Sequence, residues 1–501
     1  MELIKNALTG GTNPWSDLDI TTARRLDDDC KPPCTPNLPF RFDGDLFKTG
    51  NFDEVWLFGQ LGERDPPLDE SEVEEVLRFM NSGGGVFATG DHTSLGAAMC
   101  GKLPRVGSMR KWFHEDASSL ELKAPGRNDL SRLDTLREGL DLGFHMDDQS
   151  DVLPQEIRPK FFLNPGGQGS KPHPLLTDRS GFAITVLPDH MHEGECIVPS
   201  NLEKKFELDG KRFDEYPLVP NTDVRMSPEV VAISTSAGGF LLSARVVPPV
   251  EPRSFVSIIA YSGDLVGIGR VAVDSSFHHF LDINLNGTGA NNPTRTGFFD
   301  SNGNPTKDYQ AIKQYFKNIA GWLCSSAARA ELYRALLLDL RFNTFLIEEV
   351  TPVAAPSLRD YLHAGAATRR VIIERFSEAE AIQCCLALIG ELPFESKLVL
   401  EGLINPWMPA SLRLDTLDLV VNPTLFVNLL LGSAMLKIAT DLPTNLSQAL
   451  TKLQENGMAV SDALNRIVSD GFEQVLPSLL AVLSRSGESL NRISATLSHS
   501  A

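Results

Sequence analysis

Between Glu54 and Thr89 the apolar positions change period twice. Glu54-Val-Trp-Leu-Phe58 is a short continuous apolar run, Val73, Val76, Leu77 and Met80 recur at helical spacing between Leu68 and Met80, and Val86-Phe-Ala-Thr89 is apolar again. Asn81-Ser-Gly-Gly-Gly85 supplies the glycines that end a helix. The pattern predicts a βαβ unit, with uninterrupted apolar strands because parallel strands are covered on both faces. Leu3 to Leu8 is a weaker candidate for a first strand. A helix is expected around Ser108 to Glu115, then surface loop and short helix to Asp151. Strand-like runs resume at Gly181 to Leu187, Val230 to Ser234, Phe255 to Tyr261 and Gly269 to Val273. A helix from Asn304 to Cys324, with Tyr309, Ile312, Tyr315, Phe316, Ile319 and Trp322 on one side, closes this α/β portion.

Beyond Ser325 the periodic segments turn helical: Ala330 to Ile347, Ala367 to Glu391, Leu425 to Thr440, Leu446 to Glu455 and Val460 to Leu483. Prolines punctuate them, and Pro477 is expected to break or kink the last. The chain therefore divides into an α/β domain over residues 1–324 and an all-α domain over 325–501, in keeping with a length of 501 residues. Charge divides the same way. Residues 325–501 hold 14 basic and 19 acidic side chains, so most of the net charge of −19 lies in the first domain. Such an acidic chain repels phosphate backbones, and no nucleic-acid partner is expected. One basic cluster, Lys102, Arg105, Arg110 and Lys111, reads as solvated surface, with contact to an anionic substrate group as the alternative.

The most apolar stretch, Leu417 to Ile438, is interrupted by Asp418, Asn422, Pro423, Asn428 and Lys437, so no membrane span is expected. No secretory leader is visible, and a cytoplasmic location is the simplest expectation. Cys384-Cys385 sit in an apolar helical pattern as core residues, and Cys30 and Cys34 lack the second pair that a zinc finger needs.

Candidate chemistry concentrates in histidine. Five of the ten fall in three segments, Gly90-Asp91-His92, Asp189-His190-Met191-His192-Glu193-Gly194-Glu195 and Asp274-Ser275-Ser276-Phe277-His278-His279, and each follows a strand-like run. Strand ends are where α/β proteins bind ligands. His190 and His192 point to one side of an extended segment and can grip one ion together. The expected metal ligands are Asp189, His190, His192, His278 and His279, with zinc the foremost ion and manganese or iron alternatives. Adjacent His278 and His279 face opposite ways in extended chain, and His278 is favoured for the site. Asp91, His92 and Glu195 are the candidate catalytic residues, Asp91 or Glu195 accepting a proton from the attacking water. The structural reading of any one of these histidines is a capped turn, and His173, before Pro174, reads as a loop residue at the rim.

Four segments resemble a family. Asn81-Ser-Gly-Gly-Gly-Val-Phe-Ala-Thr-Gly-Asp-His92, His173-Pro-Leu-Leu176, Gly269-Arg-Val-Ala-Val-Asp-Ser-Ser-Phe-His278 and Tyr315-Phe-Lys-Asn-Ile-Ala-Gly-Trp322 stand in the order of the corresponding elements of ThuA-like proteins, the trehalose-utilisation branch of the class I glutamine amidotransferase-like fold. The resemblance covers about residues 1–324. It implies a flavodoxin-like parallel sheet flanked by helices, with His92 at the turn where glutamine amidotransferases carry a nucleophilic cysteine. Here the nearest cysteine is Cys100, eight residues on, so thiolate chemistry is not expected.

Three functions follow as expectations. The first is a metal-dependent hydrolase or lyase acting on a small polar substrate, carbohydrate-derived if the resemblance carries that far. The second is a metal-independent enzyme using Asp91 and His92 as an acid–base pair. The third is a small-molecule sensor whose helical domain forms a homo-oligomer or binds a partner, motivated by the size of residues 325–501.

Overall fold

The computed structural model describes residues 2–9, 18–25, 40–49, 52–60, 66–91, 95–111, 143–144, 155–165, 169–188, 194–236, 240–241, 253–287, 297–390, 392–413, 422–454 and 459–498. They form two compact units, one of residues 1–160 and 183–325, the other of 161–182 and 326–501.

The first unit is built on an eight-stranded mixed sheet. Strands β1 (Glu54–Phe58) and β2 (Gly85–Thr89) pair in parallel, Glu54 opposite Gly85 and Phe58 opposite Thr89, as the βαβ pattern predicts. Helix α2 (Glu70–Asn81) joins them, and α1 (Glu2–Thr9) precedes them. α2 opens on a capping box in which Asp69 accepts from the Glu72 amide at 3.1 Å and Glu72 from the Asp69 amide at 3.3 Å. Val76, Leu77 and Met80 bury its apolar face.

The remaining strands are β3 (Arg110–Lys111), β4 (Arg158–Pro159), β5 (Glu195–Cys196), β6 (Glu229–Ser236), β7 (Arg253–Tyr261) and β8 (Val271–Asp274). β8 lies parallel to β2, with Asp274 opposite Thr89. Outward from β8 every pairing is antiparallel: β7 with β8, β5 and β6, β5 with β3, and β6 with β4. The parallel sheet expected from the resemblance is thus confined to β1, β2 and β8. The chain between β7 and β8 spans only residues 262–270, folded as a 3-10 turn over Asp264–Val266 and a left-handed Gly267. A parallel return needs a crossover of about a dozen residues or more, so this short link imposes the antiparallel hand.

Other local expectations need correction. Leu3 to Leu8 is not a strand: α1 buries Ile4, Ala7 and Leu8 at helical spacing, and its first amides, Glu2 and Leu3, reach the Asp282 carboxylate at 3.2 Å. The run from Gly181 to Leu187 shrinks to a strand at Val186–Leu187. Its start is a turn in which Gly181 takes φ +82° and the Asp178 carboxylate accepts from the Ser180 and Phe182 amides at 2.8 Å. The expected helix at Ser108 is a single 3-10 turn, Gly107–Met109, running directly into β3.

Helix α3 (Lys307–Leu323) closes the unit as anticipated, capped by Thr306 and burying Ile312, Tyr315, Phe316 and Ile319. Arg270 ties it to the sheet through the Trp322 carbonyl at 2.9 Å, its guanidinium 4.9 Å from the Trp322 ring centroid. Phe280 packs among Phe58, Phe87 and Phe316 with ring centroids 5.0–5.5 Å apart, which anchors the turn after β8.

Among its described residues the second unit's regular structure is helical apart from a pairing of Phe161–Leu163 with Ser170–Pro172. His173, expected at an exposed rim, is buried here: its Nδ1 accepts from the Leu175 amide at 3.2 Å, and its ring faces Phe162 and Trp407. The helices are α4 (Ser326–Leu340), α5 (Thr344–Glu349), α6 (Leu358–Arg375), α7 (Glu378–Ile389), α8 (Phe394–Ile404), α9 (Pro423–Asp441), α10 (Leu446–Gln454) and α11 (Val460–Ser498). Two predicted helices are each divided, at Asn343 and at Ser377, because both side chains cap the helix that follows. Pro477 lies inside α11 without ending it. Among the described residues α9 alone is long and apolar enough to cross a membrane, and most of it is buried within the helical unit.

Candidate functional site

Because β2 and β8 are parallel and in register, their carboxyl ends finish side by side at Thr89 and Asp274. Each strand runs on into one of the histidine segments. β2 continues to Gly90-Asp91, and β8 to Ser275-Ser276 and the 3-10 turn Phe277–Phe280. The Phe277 amide donates to the Gly90 carbonyl at 2.8 Å and joins the two.

Ser276 caps the turn, its Oγ accepting from the His278 amide at 3.1 Å and donating to Asp91 Oδ1 at 2.5 Å. The other Asp91 oxygen, Oδ2, lies 3.8 Å from His278 Nε2. Asp91 is fully buried, while His278 keeps 6 % exposure. The result is a carboxylate–imidazole pair with the carboxylate inside and the imidazole at the edge.

His279 goes elsewhere. Its Nδ1 is 2.7 Å from Asp274 Oδ1, which also accepts from the Ser276 amide at 3.1 Å. Asp274 Oδ2 accepts from the Tyr315 hydroxyl at 2.7 Å. Burial first, and Asp274 beside it, hold the Tyr315 hydroxyl well above the ordinary tyrosine range, so it stays a donor. His279 and Asp274 are both fully buried, and their contacts set the shape of the turn.

The third segment arrives through Gly194 and Glu195. The Gly194 amide donates to the Ser275 carbonyl at 3.2 Å. Arg110, from β3, runs beneath all three segments: its Nη1 donates to the Asp274 carbonyl at 2.9 Å and its Nη2 to the Asp91 carbonyl at 2.6 Å. A Cβ on Gly194 would stand 1.8 Å from Arg110 Nη2, and one on Gly90 2.9 Å from Arg110 Nε. Gly90 and Gly194, in the first and third of these segments to be described, therefore make room for one guanidinium. Glu195, opposite Lys111 across the β5–β3 ladder, accepts from its Nζ at 2.8 Å.

Of the residues singled out in the sequence, Asp91, Glu195, His278 and His279 are placed by these contacts. His92, Asp189, His190 and His192 lie outside the described residues, although the described flanks of their segments meet around Arg110. Among the described residues no three His, Cys, Asp or Glu side chains converge as a metal site. Only half of the basic cluster is solvated surface: Lys102 is exposed and Lys111 half-buried, whereas Arg105 and Arg110 are each only 1 % exposed. Arg110, Ser276 and Tyr315 belong to this network; the sequence reading gave them no role in it, although Gly90 and Gly194 were a visible sign that something packs closely there. Burial pushes the Cys100 thiol up to about 12 despite nearby Arg110, and its Sγ faces the Thr89 carbonyl at 3.7 Å. It is no thiolate at neutral pH.

A buried carboxylate beside a nearly buried imidazole is an arrangement able to pass a proton between substrate and protein. No family model, curated protein or solved structure matches the chain.

Proposed function

We propose that the α/β unit is a hydrolase, or a related lyase, acting on a small polar substrate at the carboxyl ends of β2 and β8. One observation carries this reading. Three histidine-bearing segments, far apart in sequence, have their described flanks drawn together by Arg110 and Gly194, with the Asp91–His278 pair at the centre. With no ion bound, Asp91 would hold the proton balance of His278, and His278 would give or take the proton at the substrate; with an ion on His278, Asp91 would be the proton acceptor. Ser276 keeps the carboxylate oriented.

A divalent ion, zinc foremost, fits the donor chemistry, since imidazole and carboxylate at a strand end are what zinc takes. His278 would hold it together with Asp189, His190 and His192. His279 Nδ1 is bonded to Asp274, so its ring would meet an ion only through Nε2. Such an ion supplies a polarised water at neutral pH. The ThuA-like, flavodoxin-like reading belongs to the same proposal. What supports it is that three of the four resembling elements adjoin: the Val86 amide reaches the Arg270 carbonyl at 2.9 Å, and Arg270 grips Trp322. The fourth, His173-Pro-Leu-Leu176, falls in the helical unit. A cytoplasmic location remains part of the proposal.

The metal-free acid–base reading keeps one observation in its favour, the Asp91–His278 approach at 3.8 Å. Elemental analysis of tag-free protein, followed by assay against small esters, amides and glycosides, separates the two. The metal reading expects near-stoichiometric metal and activity lost to chelators. Activity that survives chelation with a bell-shaped pH profile selects the acid–base reading, and inactivity on every substrate class with no bound metal contradicts both.

A further inference from the structure

The turn that presents His278 is anchored beyond the strand-end network. It ends at Leu281, whose amide donates to the His278 carbonyl at 3.3 Å, and the chain passes at once into a short helix, Asp282–Asn286, closed by Gly287 at φ +73°. The first side chain of that helix serves another element. Asp282 Oδ2 accepts from the Glu2 amide and Oδ1 from the Leu3 amide, both at 3.2 Å, and these two amides open α1. α1 lies against the short helix and against α3, with Ile4, Ala7 and Leu8 buried.

α1 has 8 residues, whereas a helix needs about 12–15 to persist by itself in water. It therefore depends on its docked apolar face and on Asp282, which satisfies two of its first donors and sets a negative charge at the positive end of its dipole. The dependence is reciprocal, since whatever holds α1 on Asp282 equally holds Asp282 on α1. Ser276 and Phe280 fix the start of the turn and its inner face, so its exit is where α1 acts. We infer that Asp282 is a positioning residue: it couples the docking of α1 to the placement of the His278 turn, so that α1 is a clamp whose release loosens the turn and leaves the sheet paired. The catalytic consequence rests on the function proposed above. A turn that loosens on release, in a protein inactive on every substrate class, would sink that function and leave the clamp standing.

Hydrogen exchange of the full chain, followed by mass spectrometry over residues 2–9 and 277–287, tests the coupling without a substrate, and β2 and β8 serve as the internal reference. Asp282→Ala should speed exchange over both stretches by about tenfold, the equivalent of one hydrogen bond to a charged group, with the two strands unchanged. Asp282→Asn keeps one acceptor oxygen and should restore part of the protection in both. The His278 Cε1 proton resonance should shift in Asp282→Ala and move back in Asp282→Asn. Faster exchange confined to residues 2–9, faster exchange spread through β2 and β8, or an unmoved His278 resonance would reduce Asp282 to a cap of α1 and overturn the inference. Should Asp282→Ala fail to fold, Ile4→Ser decides, because it weakens α1 from its apolar side: faster exchange over 277–287 supports the clamp, and unchanged exchange there contradicts it.

Discussion

Asp91 is held three ways at once: its carboxylate by Ser276, its backbone carbonyl by Arg110, and its outer oxygen by the approach of His278. Asp91→Asn keeps an oxygen for Ser276 and the same volume but removes the negative charge beside the His278 imidazole. The expected outcome is a fall in kcat/KM of roughly 10²–10⁴-fold with an unchanged far-ultraviolet circular dichroism spectrum. A fall of under about threefold would remove Asp91 from the proton path. Gly194→Ala tests the arginine beneath it, because the new methyl would overlap Arg110 Nη2. Overpacking of this kind costs about 1–3 kcal/mol, readable as a lower urea midpoint with unchanged slope. Arg110 also marks the limit of a sequence pattern. Four cations within ten residues resemble a solvated face, and only the strand pairing that buries Arg110 reveals that it organises the site.

At the scale of elements, the β1–α2–β2 unit was legible because apolar period, glycine run and cap agree over one continuous stretch. The sheet beyond it was less so. Apolar runs announce strands but carry no direction, and the antiparallel hand of β7 and β8 lies in the short 262–270 link between them. The convergence of the histidine segments was visible only as three strand ends, since contacts between segments so far apart have no local signature. The division of the helices was written in the chain, where Ser377-Glu-Ala-Glu380 is a capping signature within an apolar stretch. Ser377→Ala, which leaves the Glu380 amide without its acceptor at 3.2 Å, should lower stability by about 1 kcal/mol in chemical denaturation. Tyr315→Phe removes one of the three donors on the buried Asp274 carboxylate. A loss of about 1–3 kcal/mol is expected, and an unaltered unfolding midpoint would contradict the network.

For the whole molecule, pH couples to stability through Glu54 at the start of β1. Burial pushes its carboxyl up from 4.5 to about 8, opposed by a hydrogen bond from the Trp56 indole and aided by neighbouring Asp53. The folded chain therefore binds this proton more tightly than the unfolded chain. Its contribution is complete below the lower value and is lost as pH rises through the upper one. Tm should fall across that interval, and Glu54→Gln should flatten the fall; equal slopes in the two proteins would contradict the assignment. The chain's net charge of −19 acts in the same direction, since rising pH adds to an acidic surplus concentrated in residues 1–324. The central claim is that the histidine segments gathered around Arg110 form one hydrolytic centre. Anomalous diffraction at the zinc edge from crystals soaked in zinc tests it most directly. The account predicts a peak about 2.1 Å from His278 Nε2; zinc bound only elsewhere, with the space beside His278 and Asp91 empty, would contradict it.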